Sequence, residues 1–253
     1  MTAIVGTHAL VTGGGSGVGR AIALALAEAG AAVTICGRRM EPLKAVAARH
    51  PNIEAMAADI TDEASMEHLY RQSEAARGAI DIVVANAGVA SSAPAARTAL
   101  ADWKRMLDIN LTGAFLTVRP ALAGMAARRA GRIVFVASAA GLKGYAYVAP
   151  YVASKHGVIG LMRALAIEYA ASGITVNAVC PGYVETDMLD QSVARIVEKT
   201  GRSQEEARAS LKAANPQGRF IQPEEVASAV LWLLSPGAGS VTGQAISISG
   251  GET

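Results

Sequence analysis

The chain has 253 residues, of which 51% are hydrophobic, 4% aromatic and 17% charged, enough to bury about three quarters of the unfolded surface in one core. That balance excludes disorder, and 26 glycines without a period and 2 cysteines exclude a collagen-like or disulfide-stapled fold. With 23 Lys plus Arg against 21 Asp plus Glu the net charge is +2, and no basic block exists that would track a nucleic-acid backbone.

Residues 1–6 carry neither a cationic start nor a long apolar stretch, so no export is expected, and every apolar run is interrupted before the ~18 residues of a membrane span. A strand is predicted at 7–12, a helix at 17–29 and a strand at 32–36, the alternation of a βαβ unit. Helices at 40–49 and 62–77 then flank a strand at 53–57, and further strands follow at 80–85, 132–138, 174–179 and 245–248. The helices between them are predicted at 100–127, 150–172 and 223–234. Seven continuously apolar strands joined by helices imply a doubly wound α/β fold of Rossmann type, one domain with a parallel sheet covered on both faces. Residues 187–222 break the rhythm beyond the sixth strand, where an open sheet binds its ligand, and are read as a lid or a solvated helical decoration. A cytoplasmic location is expected, with Cys36 and Cys180, at the ends of predicted buried strands, as reduced core thiols. The four His are scattered and suggest no metal site.

The first strand runs into Thr12-Gly13-Gly14-Gly15-Ser16-Gly17-Val18-Gly19 and then a helix. Glycines allow close approach of a pyrophosphate and the helix N-terminus offers free N–H groups, although the spacing is G-x-x-x-G-x-G rather than G-x-G-x-x-G. The second strand ends at Cys36-Gly37-Arg38-Arg39, where such folds meet the adenosine ribose. Guanidinium groups there suit a 2′-phosphate, so NADP(H) is preferred, through Arg38 first and Arg39 second, with NAD(H) use also possible.

Tyr151 and Lys155 lie four residues apart on a predicted helix and share a face; an ammonium near a phenol lowers its pKa toward working pH. Ser138 closes the fifth strand, where a hydroxyl can hold a carbonyl oxygen beside that phenol. Its flanks, Ala137 and Ala139-Ala140, lack the glycines of a G-x-S-x-G hydrolase elbow.

Taken together, Thr12 to Gly19, Asn86-Ala87-Gly88, Ser138, Tyr151-Val-Ala-Ser-Lys155 and Pro181-Gly182 resemble the short-chain dehydrogenase/reductase family over essentially the whole chain. The resemblance implies that Ser138 orients the carbonyl, Tyr151 is the acid/base, Lys155 binds the nicotinamide ribose and lowers the Tyr151 pKa, and Asn110 holds a water behind Lys155. The same resemblance places Gly13, Gly15, Ser16, Gly17, Val18 and Gly19 on the cofactor phosphates, Asp59 and Ile60 on the adenine, Asn86, Ala87 and Gly88 along the cofactor, and Pro181, Gly182, Val184 and Thr186 by the nicotinamide. Two departures stand out: Ala85 replaces a frequent Asn before Asn86, and Ser16 replaces a basic turn residue found in many NADP-dependent members.

Within the family the wording of 149–158, 173–182 and 218–223 is similar to aromatic-polyketide ketoreductases and 3-oxoacyl-thioester reductases, implying a β-keto substrate on CoA or a carrier protein. The region 195–219 holds six basic residues against three acidic ones and could receive a CoA phosphate or an acidic carrier, as could Arg128 and Arg129. Leu142, Tyr145, Tyr147, Val148, Tyr183 and Met188 are expected to line an apolar pocket. The alternatives are oxidation of a cyclic, aryl or hydroxyacyl-CoA alcohol, or a non-enzymatic nucleotide-binding subunit. The resemblance also implies a homotetramer, with Gly157 and Gly160 allowing close helix approach.

Overall fold

A computed structural model describes residues 4–253; Met1 to Ala3, the start of the segment read above for a leader, lie outside the described residues. The chain alternates β1 (His8–Thr12), α1 (Gly17–Glu28), β2 (Ala32–Gly37), α2 (Met40–Ala47), β3 (Ile53–Ala57), α3 (Glu63–Arg77) and β4 (Ile82–Ala85). It continues with α4 (Leu100–Leu107), α5 (Gly113–Arg128), β5 (Gly131–Val136), α6 (Ala149–Tyr169) and β6 (Ile174–Pro181). The last elements are α7 (Asp187–Thr200), α8 (Gln204–Lys212), α9 (Pro223–Leu233) and β7 (Ala245–Ile248). All seven strands form one parallel sheet in the order β3-β2-β1-β4-β5-β6-β7. Strand order reverses between β1 and β4, so the crevice for a ligand opens beyond their carboxyl ends.

Both faces of the sheet are dry. In β1, Leu10 joins the core under α3, α5 and α6, while Ala9 and Val11 join the one under α1, α2 and α9; in β5, Ile133 and Phe135 divide from Val134 and Val136 in the same way. Successive side chains point to opposite faces, so burial on both makes the strands read as unbroken apolar runs, each large side chain contributing about 1.5–3 kcal/mol.

The single helix predicted over 100–127 is interrupted. α4 ends at Leu107, a wide π-type turn covers Asp108–Thr112, and α5 resumes at Gly113, whose N–H donates to the Asp108 carbonyl. Two contacts account for it. Asn110 is only 1% exposed and is drawn inward by polar partners described below, and a side chain at Gly113 would overlap Ile60 at 2.6 Å, so this turn packs directly against the segment after β3. Arg128 and Arg129, which the sequence offered to a carrier protein, are used internally: one donates to the Ile80 carbonyl at 2.8 Å, the other to that of Ala171 at 2.9 Å. Gly157 is explained by packing within the chain, since a Cβ there would stand 2.8 Å from Leu111, whereas Gly160 faces open space.

At the opposite, amino end of β1, His8 is buried. Its Nδ1 bonds the Gly78 carbonyl at 2.8 Å, and its Nε2 meets the hydroxyls of Thr34 at 3.0 Å and Ser73 at 3.1 Å. Burial holds this imidazole below its ordinary 6.5, against the pull of the Gly78 hydrogen bond. The unfolded chain therefore takes up a proton near pH 6.5 that the folded chain refuses, so stability is full above that pH and declines as pH falls toward the depressed folded value. In urea denaturation, wild type is expected to lose midpoint between pH 7 and pH 5.5 relative to His8→Gln; equal losses would assign the acid sensitivity to other groups.

Candidate active site

Five strand ends supply the site. At the end of β1 the glycine turn is fitted so closely that a Cβ at Gly19 would lie 2.4 Å from both the Gly13 carbonyl and the Asn86 amide nitrogen. Gly13 itself needs φ +67, and its N–H donates to Cys36 O at 2.8 Å. Ser16 caps α1 in an extended conformation without using its hydroxyl, Val18 and Gly19 begin the helix, and no acidic side chain occupies its first turn. The free N–H groups there thus face the crevice with no carboxylate competing for them, and the narrow Gly13–Gly19 contact leaves backbone rather than side chain to meet a pyrophosphate. Thr186 extends over this turn, its methyl 3.1 Å from where a Gly17 Cβ would be.

β4 is locked to β1 at this point. The Thr12 hydroxyl accepts from the N–H groups of Asn86 and Ala87, both at 3.1 Å, and Asn86 Nδ2 donates to the Thr12 carbonyl at 2.8 Å. Asn86 thereby fulfils a positioning task with its own side chain, and Ala85 before it is buried in the core. Gly88 lies over the inner wall: a Cβ would come 3.1 Å from Asn110 Oδ1 and 3.7 Å from Lys155 Nζ.

The end of β2 presents Arg38 and Arg39 to solvent, and among the described residues neither has a carboxylate within 4.0 Å. Asp59 lies within electrostatic reach of Arg38; its carboxyl is held below the usual range first by the Thr61 N–H at 2.9 Å and then by the Thr61 hydroxyl. Ile60 is committed to the core against Gly113.

Two residues after β5, Ser138 begins a short 3-10 turn over Ala139–Gly141, and its hydroxyl accepts from the Ala140 N–H at 3.1 Å. With an acceptor site engaged, the hydroxyl proton is left to be donated toward the phenol or a bound carbonyl oxygen. This turn is seated on α6, where a Cβ at Gly141 would meet the Lys155 carbonyl at 2.9 Å, so Ser138 and Tyr151 are held in register by backbone packing. Lys155 is 5% exposed, donates to the Val136 carbonyl at 2.9 Å and lies 5.7 Å from the Tyr151 ring centre.

These contacts alter the expected electrostatics. Burial pushes the Lys155 ammonium down to about 8. The Tyr151 phenol is held above its ordinary 10 by burial, with the hydrogen bond to Ser138 pulling the other way. Burial outweighs the Ser138 hydrogen bond at the phenol, while the Lys155 ammonium is held by the Val136 carbonyl. Tyr151 is therefore protonated at neutral pH, the form that donates.

Asn110 does not present a free amide. Its Oδ1 accepts from Val89 N at 2.8 Å, and its Nδ2 donates to Val89 O at 2.9 Å and to Ser154 Oγ at 3.1 Å. Ser154 in turn donates to the Tyr151 carbonyl at 2.7 Å, linking the wide turn after α4 to the catalytic stretch of α6. Ser154 lay within the motif but carried no role in sequence reasoning; only the fold reveals its partner.

Pro181 ends β6, and Gly182 bonds Ile248 O at 3.0 Å. Val184 bridges to Ile221, which ties the two ends of the inserted segment together. The insertion over 187–222 contains two helices, α7 and α8, with a core of Leu189, Val193, Ala207 and Phe220 against which Tyr183 packs. Arg208 binds Glu185 and Asp190 and lies 5.2 Å over the Phe220 ring, Arg219 grips Glu225 at 2.6 and 2.7 Å, and Lys199 pairs with Glu198 at 2.8 Å. Half of the six basic residues of 195–219 are thus paired with carboxylates of the chain itself, leaving Arg195, Arg202 and Lys212.

Of the six expected pocket residues, Leu142 packs against the core, Tyr145 and Tyr183 are part-buried near Tyr151, and Val148 precedes α6. Tyr147 is 67% exposed with φ +67, and Met188 is 42% exposed on α7, so these two stand at the mouth rather than in a closed wall. A cleft of about 260 Å³ beside the start of α6 is lined instead by Ala95, Thr98, Leu100, Trp103, Ala149 and Pro150. Sequence reasoning missed it because it joins two segments some fifty residues apart. Among the described residues no group of three or more His, Cys, Asp or Glu could hold a metal, and no helix is long and apolar enough to cross a membrane.

Residues 7–196 match the family described as short chain dehydrogenase. The chain is 41% identical over 250 residues to cis-4-hydroxycyclohexanecarboxylate dehydrogenase of Sinomonas cyclohexanicum, covering 97% of this chain and 96% of that one. It is 39% identical over 251 residues to the 3-oxoacyl-(acyl-carrier-protein) reductase FabG of Aquifex aeolicus, with 97% of each covered. Among solved structures, a Phe-to-Trp variant of actinorhodin polyketide ketoreductase with NADPH superimposes with a TM-score of 0.94 at 39% identity, over 97% of each chain.

Proposed function

The chain belongs to the short-chain dehydrogenase family and is an NAD(P)-dependent oxidoreductase of the ketoreductase type, and from that premise we propose that it prefers NADP(H) and reduces the ketone of a 3-oxoacyl thioester or a polyketide-like compound. The observation that carries this reading is the convergence of Ser138, a protonated Tyr151 and a buried Lys155 at the carboxyl end of β5, opposite the glycine turn. The nicotinamide supplies the hydride when bound. Ser138 donates a hydrogen bond to the carbonyl oxygen and fixes its position, and Tyr151 delivers its proton to the same oxygen as charge develops. Lys155 lies close enough to the phenol to stabilise the phenolate left behind, with its ammonium anchored by the Val136 carbonyl. Asn110 acts as a positioning residue through Val89 and Ser154.

The preference for NADP(H) rests on the uncompensated Arg38 and Arg39 at the end of β2 and on the absence there of a carboxylate for a ribose hydroxyl. The close relation to a hydroxycyclohexanecarboxylate dehydrogenase favours a second reading, oxidation of a cyclic secondary alcohol. Absorbance at 340 nm with NADPH or NADH, an acetoacetyl thioester and a cyclic ketone such as decalone separates the two. Faster turnover of the thioester supports the first reading, and failure with both ketones alongside NADP⁺ reduction by a cyclic alcohol moves the assignment to the second.

The homotetramer reading draws support from apolar side chains left in water: Phe115 on α5, Ile167 on α6 at 81% exposure, and Trp232 on α9. Gly160 on α6 leaves room for a partner helix. Sedimentation equilibrium is expected to give four times the chain mass, and a monomer would refute this assembly. We place the enzyme in the cytoplasm, where reduced thiols such as Cys36 and Cys180 persist; recovery in a membrane fraction would count against it.

A further inference from the structure

The carboxyl-terminal turn brings an acidic side chain into the site. Gly250 takes φ +66 and approaches Asn215 so closely that a Cβ would stand 1.9 Å from its Oδ1, and Gly251 lies against Pro216. The turn is closed by hydroxyls, with Ser249 Oγ accepting from Thr253 N at 3.2 Å and Ser247 Oγ 2.5 Å from Thr253 Oγ1. This strap directs Glu252 inward, where its side chain is only 2% exposed.

One carboxylate oxygen of Glu252 accepts from the Tyr145 hydroxyl at 2.5 Å and pairs with Lys143 Nζ at 3.1 Å; Lys143 also donates to the Glu252 carbonyl at 3.2 Å. The other oxygen faces Gly182, 3.2 Å from where a Cβ would be. Lys143 and Tyr145 belong to the segment between Ser138 and Tyr151, and Gly182 follows β6, so the carboxylate stands on the wall that joins both. Its charge reaches two neighbouring phenols, Tyr145 and Tyr183. The Tyr145 hydroxyl is raised by burial and then by Glu252, and Tyr183 by burial and then by Glu252, while Tyr145 and Tyr183 each sense or are sensed by Tyr151.

A buried carboxylate is tolerated only with donors to satisfy it, and here one phenol and one ammonium do so. The consequence runs in the other direction too. Lys143 is 41% exposed and stands on the segment between Ser138 and Tyr151; bound to Glu252 it offers an anion no net attraction, and the carboxylate repels one. We propose that Glu252 is a specificity-determining residue that masks Lys143, so that the pocket takes ketones with uncharged substituents and discriminates against a ketone bearing a carboxylate. This rests on the ketone-reducing reading above and deepens it by naming the substrate class.

The experiment compares cyclohexanone with 4-oxocyclohexanecarboxylate, two ketones differing by one negative charge, using full-length protein and NADPH. Wild type should have the higher kcat/KM on cyclohexanone. In Glu252→Gln, which keeps the shape and an acceptor for Tyr145, the ratio of kcat/KM for the carboxylate over the neutral ketone should rise at least tenfold. The double variant Glu252→Gln with Lys143→Met should lose that gain. Lys143→Met alone, which leaves the carboxylate without its cation, should lower the ratio below wild type and serves if Glu252→Gln does not fold. A merely structural role would change both ketones in parallel and leave the ratio fixed, which overturns the proposal, as does a gain that survives loss of Lys143. Turnover of cyclohexanone with an unresponsive ratio defeats this inference alone, as does no turnover of either cyclic ketone by wild type that still reduces an acetoacetyl thioester with NADPH; no turnover of any of the three ketones defeats it together with the reading it rests on.

Discussion

Tyr151→Phe is expected to lower kcat for ketone reduction by about 10²–10⁴-fold, the contribution of a positioned proton donor, while leaving circular dichroism and NADPH binding intact. The ring keeps its packing on α6, and only the hydroxyl beside Ser138 is lost. Because burial holds this phenol above its ordinary 10, its proton is retained through neutral pH, and a fall in wild-type reduction below pH 10 should instead follow loss of the Lys155 ammonium, which burial lowers to about 8. Stopped-flow absorbance at 340 nm across pH 6 to 10 reads both effects. An activity within threefold of wild type would remove Tyr151 from proton delivery, and Ser138, whose hydroxyl is also free to donate, would become the donor to test.

Reversing the charge at Arg38 is the second large effect. Arg38→Asp removes a guanidinium suited to bidentate contact with a 2′-phosphate and sets a carboxylate beside Asp59, whose charge already lies within reach of this position. Hydrogen bonds to charged groups contribute about 1.5–3 kcal/mol each, so losing a bidentate contact and adding repulsion should move the NADPH-to-NADH ratio of kcat/KM toward NADH by on the order of 100-fold. The new carboxylate can also accept from a ribose hydroxyl, so NADH should gain in absolute terms. Equal losses with both cofactors would place the 2′-phosphate elsewhere, and Arg39→Ala would then be the variant to compare.

The acidic substitute in this test illustrates how far local sequence carries. The run Cys36-Gly37-Arg38-Arg39 announces its chemistry because a strand end followed by two cations needs no distant partner to be read, and the structure leaves both cations exposed and unpaired among the described residues. The basic residues of 195–219 read the same way in sequence, yet Arg208 and Arg219 are consumed by Glu185, Asp190 and Glu225. Nothing in composition separates a solvated arginine from a paired one, since the partner's distance is set by how two helices fold back on each other.

By itself the sequence determined the order of the seven strands and most of the helices between them, the parallel sheet and the strand-end positions of Ser138 and the glycine turn, because hydrophobic period and glycine spacing are local properties of a backbone. It also put Tyr151 and Lys155 on one face, a consequence of helical pitch. Only the tertiary structure decided that the helix over 100–127 breaks at Asp108–Thr112, that Asn110 bonds Val89 and Ser154, that Lys155 is drawn to Val136, and that Glu252 closes on Lys143 and Tyr145. Each of these joins groups distant in the chain or sets one contact against another, and the winner depends on burial: desolvation raises the Tyr151 phenol and lowers the Lys155 ammonium, opposite effects on their charged forms that no spacing of residues encodes.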